Sequence, residues 1–282
     1  MAYSATILAD SVTPRGRRLT SAEFTMPRIV LCDFNTHRIL SRNGPSSRAI
    51  PLAKKIAEVE ADPYIPEVFY RNTPGMEGRE ALTGAEHDAA RDNWLRGLDA
   101  MLKCARWYQE HNVHKQHGNR LLEPFSWQRV IVTATEWGNA FALRCHPAAD
   151  LALQRAMTAL RAARDASTPT LVPFGGWHRI LVPDIAQLCA DGFTEDQINR
   201  ISVGRAARVS YLTHHGVRDP AADLAAAAAR LAEGHMSPFE HVAQSRDTDD
   251  MIGNLCGWQQ LRKFIPNEHD FSQLDPTKAA RS

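Results

Sequence analysis

Apolar positions recur at intervals of three and four between residues 84 and 111, where Trp94, Leu95, Leu98, Met101, Leu102 and Ala105 share one stripe. That spacing predicts a long amphipathic helix whose stripe packs into a core. Residues 148–164 run through Ala, Leu, Gln and Arg with almost no breaker and predict a second long helix. Asp219-Pro220 opens an alanine-rich helix that reaches Ala232 and stops at Gly234. Thr194 precedes Glu195 and Asp196 and predicts a capped helix start, continuing over residues 201–211 into a strand-like end at Val209-Ser210-Tyr211. Pro51 opens a short helix to about residue 59. Strand character is strongest over residues 21–34, through Phe24, Met26, Ile29, Val30 and Leu31; Pro27 inside that run argues for an edge strand or a bulge. The β-branched run 130–135 reads as a strand or as the lead-in to a helix over 136–144 capped by Thr135. Residues 64–83 carry Pro, Gly and Asn punctuation and predict an extended loop.

The remainder is polar: residues 1–20, and the tail from 246, which holds one apolar patch over 255–265. No repeat and no flexible linker divides the chain, so the expectation is a single α+β domain over residues 1–282.

Composition changes this picture mainly by exclusion. The 282 residues carry a formal net charge of +1, so no global field draws in nucleic acid or an anionic membrane, and any anion must be held by a local cluster. No apolar run approaches the roughly 20 residues that span a bilayer, and the first residues lack a signal-type apolar core. The five cysteines, Cys32, Cys104, Cys145, Cys189 and Cys256, stand singly, with no CxxC pair and no obvious activating neighbour. A reduced, cytoplasmic protein is expected.

Candidate chemistry begins in the loop 36–48, which packs His37, Arg38, Arg42, Arg48 and Ser41, Ser46, Ser47 around a Gly44-Pro45 turn directly after an apolar run. Arginine forks, hydroxyls and turn amides are groups that hold phosphate oxygens. Two other segments have the same character, 115–144 and 205–241. His114 and His117 form an HxxH pair, but no acid or thiol lies at ligand spacing, so no metal is expected.

Taken together the three segments resemble the flavin-dependent thymidylate synthases (the ThyX family). Thr36-His37-Arg38, with Ser41, Asn43, Ser46 and Arg48 beyond it, resembles that family's Arg-His-Arg motif and following Ser/Asn/Arg stretch. Ala207-Arg208-Val209-Ser210-Tyr211 and the ungapped Gly234-His235-Met236-Ser237-Pro238-Phe239-Glu240-His241 match two further motifs, and Asn139-Ala140-Phe141-Ala142-Leu143-Arg144 matches its Asn…Leu-Arg helix. The order differs: the last two segments of this chain come first in typical members, so the sequence resembles a circularly permuted and divergent version. Thr36, Gly44, Ala49 and Asp33 stand where the family has Arg, Glu, Tyr and Gln.

The resemblance implies an α+β, ThyX-like fold with a central antiparallel sheet flanked by long helices, and a homotetramer. It implies FAD as cofactor, with methylenetetrahydrofolate and NADPH as co-substrates, in the methylation of dUMP at C5 to dTMP. His37, Arg38, Ile39, Asn139, Ser237 and Glu240 would contact the flavin cofactor. Ser46, Ser47, Arg48, Arg120 and Arg144 would hold the nucleotide. Arg144, Ser46 and His235 are the catalytic candidates, Arg144 by polarising the pyrimidine. The changed positions leave two alternatives open: methylation or hydroxymethylation of dCMP in a DNA-modifying virus, and a nucleotide- or flavin-binding homologue without turnover.

Overall fold

The computed structural model describes residues 3–208 and 218–270; Val209, Ser210 and Tyr211 of the Ala-Arg-Val-Ser-Tyr motif, and the last part of the tail, lie outside them. The described chain is a mixture of helix and sheet. In order it runs β1 (Ser4–Val12), β2 (Arg18–Pro27), α1 (Leu31–Asn35), β3 (Ser41–Asn43), α2 (Leu52–Ala61), α3 (Gly84–Glu110), α4 (Lys115–Leu121), β4 (Trp127–Ala134), α5 (Gly138–Arg144) and α6 (Leu151–Ala166). It continues through β5 (Thr170–Leu171), β6 (Trp177–His178), α7 (Ile185–Ala190), α8 (Glu195–Ala207), α9 (Pro220–Ala232), β7 (Ala243–Ser245), β8 (Met251–Ile252), β9 (Leu255–Cys256) and β10 (Trp258–Gln260).

The main sheet has the order β3-β4-β2-β1-β5, antiparallel except where β5 joins β1 in parallel. Successive residues of a strand point to opposite faces. Ala22, Phe24 and Met26 of β2, with Val130, Val132 and Ala134 of β4, meet Leu153, Ala156, Met157 and Leu160 of α6 on one face. The other face carries Ser21 and Thr133, against the smaller β10-β7-β6 sheet and α8. A satellite core joins α2, α3 and the end of α4 through Leu52, Ile56, Val59, Leu98, Leu102, Ala105 and Leu122, the C-cap of α4, so the stripe expected on the long helix is core packing.

Four expectations are corrected. Residues 1–20 are no polar appendage: β1 and β2 occupy the middle of the sheet, and Thr20 and Ser21 are fully buried. Strand 21–34 ends at Pro27, which closes the β2–β4 ladder opposite Trp127, and the chain turns helical from Arg28; β2 is an internal strand, tolerant of Pro27 because proline sits at its last position. Thr135 caps no helix. Trp137 occupies the N-cap of α5, and Thr135 Oγ1 accepts from the Cys256 amide at 3.0 Å. The tail from 246 belongs to the fold as far as residue 270: Leu255 and Trp258 are fully buried, against Leu19 and Ala243. Among the described residues no helix is long and apolar enough to cross a membrane.

Candidate functional site

Strand β3 pairs with the edge of β4 and delivers the chain into the Gly44-Pro45 turn. That turn is tied down from beneath. Asn119, on α4 and 1% exposed, donates from Nδ2 to the carbonyls of Ser47 at 2.5 Å and Ile50 at 2.8 Å. Lys115 Nζ, one helical turn earlier on the same face, donates to Ala49 O at 3.2 Å. Arg28 Nη1 and Gln128 Nε2 both donate to Pro45 O at 3.3 Å. A loop satisfied by buried donors from three elements is a rigid platform, which a binding loop needs.

Above the platform is an open cleft of about 520 Å³, lined by Ser46 and Arg48 of the loop, His114 and Lys115 at the start of α4, and Arg230, His235 and Ser237 near the end of α9. No carboxylate lies among the described residues that line it. Arg230 and His235 have Glu233 behind them, at 3.0 and 3.7 Å. Cations and a hydroxyl without a lining acid favour an anion, above all a phosphate.

Gly44 is part of this wall. A Cβ there would lie 2.9 Å from Gln128 Nε2 and 3.0 Å from Arg129 O, so any side chain at this position must displace the Gln128 amide and press on the β4 backbone. Gly44→Ala is expected to push the loop off its platform, costing about 1–3 kcal/mol of stability and weakening anion binding in the cleft about tenfold. Calorimetric titration with inorganic phosphate reads the second effect; unchanged affinity would mean the loop does not set the cleft.

A second opening, about 400 Å³, shares Ser237 with the first and is lined by Arg38, Arg42, Glu240 and residues of the C-terminal segment. Arg42 donates to the carbonyls of Asn35 at 3.1 Å and His37 at 2.7 Å. The same loop meets α5 at Arg144. Arg144 Nε donates to His37 Nε2 at 2.9 Å, and Nη2 to Thr36 Oγ1 at 3.0 Å and Asp33 O at 3.3 Å. His37 is 7% exposed, and its burial, then Arg144 and Arg42, lower its pKa; the Asn139 side chain, a hydrogen-bond partner, opposes the shift. A neutral ring that accepts at Nε2 carries its proton on Nδ1. Thr36 thus contributes a hydroxyl that holds Arg144.

The expected residues therefore gather in three adjoining groups along residues 37–48. Ser46, Arg48, His235 and Ser237 line the first cleft, Arg38, Ser237 and Glu240 the second, and His37 bonds both Asn139 and Arg144. Three do not fit their expected roles. Ser47 turns its hydroxyl inward to Glu123, beneath the loop. Arg120 is exposed and lines neither cleft; it follows the inward Asn119 by one residue, about 100° around the helix. Ile39 is 36% exposed, and its carbonyl accepts from Asn254. Lys115, Arg230 and Arg42 were missed as site residues. Arg230 had a signal: it is the sole cation in the alanine-rich helix, four residues before Gly234.

No protein-family model and no curated protein matches the chain. Among solved structures it is similar to a UMP/dUMP methylase, PolB from Streptomyces cacaoi, bound with 5-Br UMP: 12% identity over 57% of this chain and 88% of that one, TM-score 0.49. A structure of the same protein bound with 5-Br dUMP gives 13% identity, 52% and 66% coverage and a TM-score of 0.43. Likeness at this level establishes neither fold family nor function.

Proposed function

We propose that the protein is a nucleotide C5-methylating enzyme of the flavin-dependent thymidylate synthase type, acting on dUMP with methylenetetrahydrofolate as carbon donor, FAD as cofactor and NADPH as reductant. The observation that carries this reading is the meeting of Arg144 with His37, 107 positions apart, at the start of the same 36–48 loop whose Ser46 and Arg48 line a phosphate-type cleft with Arg230, His235 and Ser237.

In this reading Arg48, Lys115 and Arg230 take the nucleotide phosphate, with Ser46 donating from the turn. Arg144 lines neither cleft itself; its Nε and Nη2 are engaged by His37, Thr36 and Asp33, which fixes the plane of its guanidinium. A fixed cation of this kind stabilises negative charge developing on a pyrimidine carbonyl. His37 serves as the neutral acceptor that orients it.

The residues fit the polar part of FAD: Arg38, Arg42 and Ser237 line a groove suited to phosphate oxygens. Leu40 is the large apolar residue of that lining; the homotetramer that the resemblance implies would add residues of a second protomer. Bound flavin would supply the hydride that completes the methyl group; the protein positions and polarises.

Gly44 favours a second reading. With no side chain at that position, the base-recognition contacts of the resembling family are altered, and dCMP becomes a candidate substrate, for methylation or hydroxymethylation.

Purified protein supplied with FAD, methylenetetrahydrofolate and NADPH is expected to convert dUMP to dTMP. Arg144→Ala is expected to lower kcat by about 100–1000-fold, the loss typical of one oriented charge stabiliser. Conversion of dCMP in preference to dUMP would favour the second reading. Turnover of neither, with tight nucleotide binding retained, would leave a binding homologue.

A further inference from the structure

The underside of the 45–50 loop closes over a small, largely enclosed cavity of about 40 Å³, roofed by Ser47 and Ile50 and walled by Arg28, Lys55, Asn119 and Trp127. The fold does not satisfy the polar atoms of that wall. Seven buried side-chain polar atoms lack a hydrogen-bond partner among the described residues, and three of them belong here: Asn119 Oδ1, Trp127 Nε1 and Arg28 Nε. Asn119, 1% exposed, gives its Nδ2 to Ser47 O and Ile50 O, and its Oδ1 accepts from neither loop nor helix. Arg28 Nε lies 3.2 Å from Glu123 Oε1, but out of hydrogen-bond line. An unmet buried polar group is costly, so three at one cavity call for an occupant.

The cavity also holds a nucleophile. Lys55 of α2 is 7% exposed, and its ion pair with Glu58, at 3.8 Å, is long for a hydrogen bond. Burial lowers its pKa and Arg28 adds to that, against Glu58 and Glu123. More of this amine is therefore neutral and nucleophilic near neutral pH than of an exposed lysine. The space is too small for a nucleotide or a cofactor. It has room for about three waters, or for a group of three heavy atoms carried on the amine. The unmet atoms are two donors and one acceptor. A lysine carbamate presents their complement: two carboxylate oxygens that accept and one N–H that donates.

We infer that Lys55 takes up carbon dioxide as a carbamate on Nζ, whose oxygens accept from Trp127 Nε1 and Arg28 Nε and whose N–H donates to Asn119 Oδ1. In that step the neutral amine attacks the carbon of CO2. A C–N bond forms, one C=O electron pair moves onto oxygen, and the nitrogen releases a proton to water; nothing is oxidised or reduced. The new anion has the Arg28 guanidinium beside it, and Glu58, with 30% of its side chain exposed, has solvent to turn to. The modification stands under Ser47, and so under the loop that lines the first cleft. It rests on no assumption about the reaction proposed above.

Full-length protein equilibrated with carbon-13 CO2 at mildly alkaline pH, then quenched with a trialkyloxonium salt that esterifies the carbamate before it reverts, tests this by peptide mass spectrometry. The label is expected on the peptide that holds Lys55 and is expected to be absent from it in Lys55→Met. Trp127→Phe keeps a ring against Tyr3 and Tyr64 but removes the indole donor, and should raise the CO2 pressure for half-modification about tenfold. Uptake by the folded state alone should also raise the thermal midpoint of the unaltered chain in CO2 over a pH-matched chloride control, with no such rise in Lys55→Met. Label confined to other amines would overturn the proposal, as would a Lys55 ester whose CO2 dependence ignores Trp127→Phe. No label at all would overturn it too and assign the cavity to water. The labelling of the unaltered chain needs neither variant and no turnover, so an inactive enzyme leaves the proposal standing.

Discussion

Between pH 6 and pH 4 the protein is expected to lose stability at about 2.7 kcal/mol per pH unit, through two histidines that cannot protonate while it is folded. His178 and His241 lie on a buried polar chain: Ser11 Oγ to His178 Nδ1 at 2.8 Å, His178 Nε2 to Ser21 Oγ at 2.8 Å, Ser21 to Thr133 at 2.5 Å, and Thr133 Oγ1 to His241 Nδ1 at 2.8 Å. Burial pushes His178 down to about 4, and burial with the neighbouring His178 pushes His241 down to about 3, from an ordinary 6.5. Above pH 6.5 both states are neutral and stability is independent of these groups. As pH falls through 6.5 the unfolded chain takes up two protons that the folded chain refuses, so the balance moves toward unfolding until the folded pKa values are reached. His37, also lowered, adds in the same direction. Two pH units remove about 5 kcal/mol, comparable to the whole stability of many domains. Denaturant titrations at pH 7.5, 6, 5 and 4.5 read the slope. His241→Asn should roughly halve it whatever it does to stability at neutral pH. A flat profile from pH 6.5 to 5 would rule out two buried neutral imidazoles.

That same chain explains why β1 was illegible in the sequence. Ser11 and Thr20 lie in the stretch read only as polar, because an unpaired hydroxyl is costly to bury. Ser11 is buried with His178, 167 positions away, as its partner, and Thr20 with Asp10 across the β1–β2 pair; a pattern of apolar residues along the chain shows neither. The two long helices and the α9 helix were legible because their apolar spacing and their terminating residues are local properties. Pro27 was read correctly as an interruption and wrongly as an edge, since ending a strand and bordering a sheet leave the same local mark.

The site divides in the same way. His37, as a cofactor contact, and Arg144, Ser46 and His235, as catalytic candidates, were named through motif resemblance and not through spacing. Ser47 and Arg120 went astray because orientation within a motif depends on what lies beneath it: Glu123 captures the first, and the inward turn of Asn119 sends the second to solvent. Lys115 and Arg42 were overlooked because their roles arise from the packing of α4 and β3, not from any local signature. The platform under the loop, with Asn119 at its centre, is the part of the site that only tertiary structure reveals.

Gly204→Ala is expected to be the most damaging single-methyl change in the chain, lowering stability by about 3–5 kcal/mol. Gly204 lies in α8 where α9 crosses it. An added Cβ would stand 2.0 Å from Asp223 O, 2.6 Å from its carbonyl carbon and 2.9 Å from its Cα, all backbone atoms that cannot rotate aside. Alanine's better helix propensity returns only about 1 kcal/mol, so the clash decides the sign. Moving α9 away also pulls Asp223, fully buried, from Arg205, whose Nε it meets at 2.9 Å, and from Arg208. Arg205, 2% exposed, is held on its other side by Asp184 at 2.5 Å, so the loss would leave Asp223 charged and unpaired in the interior. The damage should reach the first cleft, because Asn43 Nδ2 donates to Ala206 O at 2.8 Å and Ala207 lines that cleft. For a chain of this size the thermal midpoint should fall by about 10 °C, with weakened binding of the proposed nucleotide at temperatures where the variant is still folded. A midpoint within 2 °C of the unaltered protein would mean that α8 and α9 do not cross as closely as described, and the anchoring of the loop through Asn43 would lose its support.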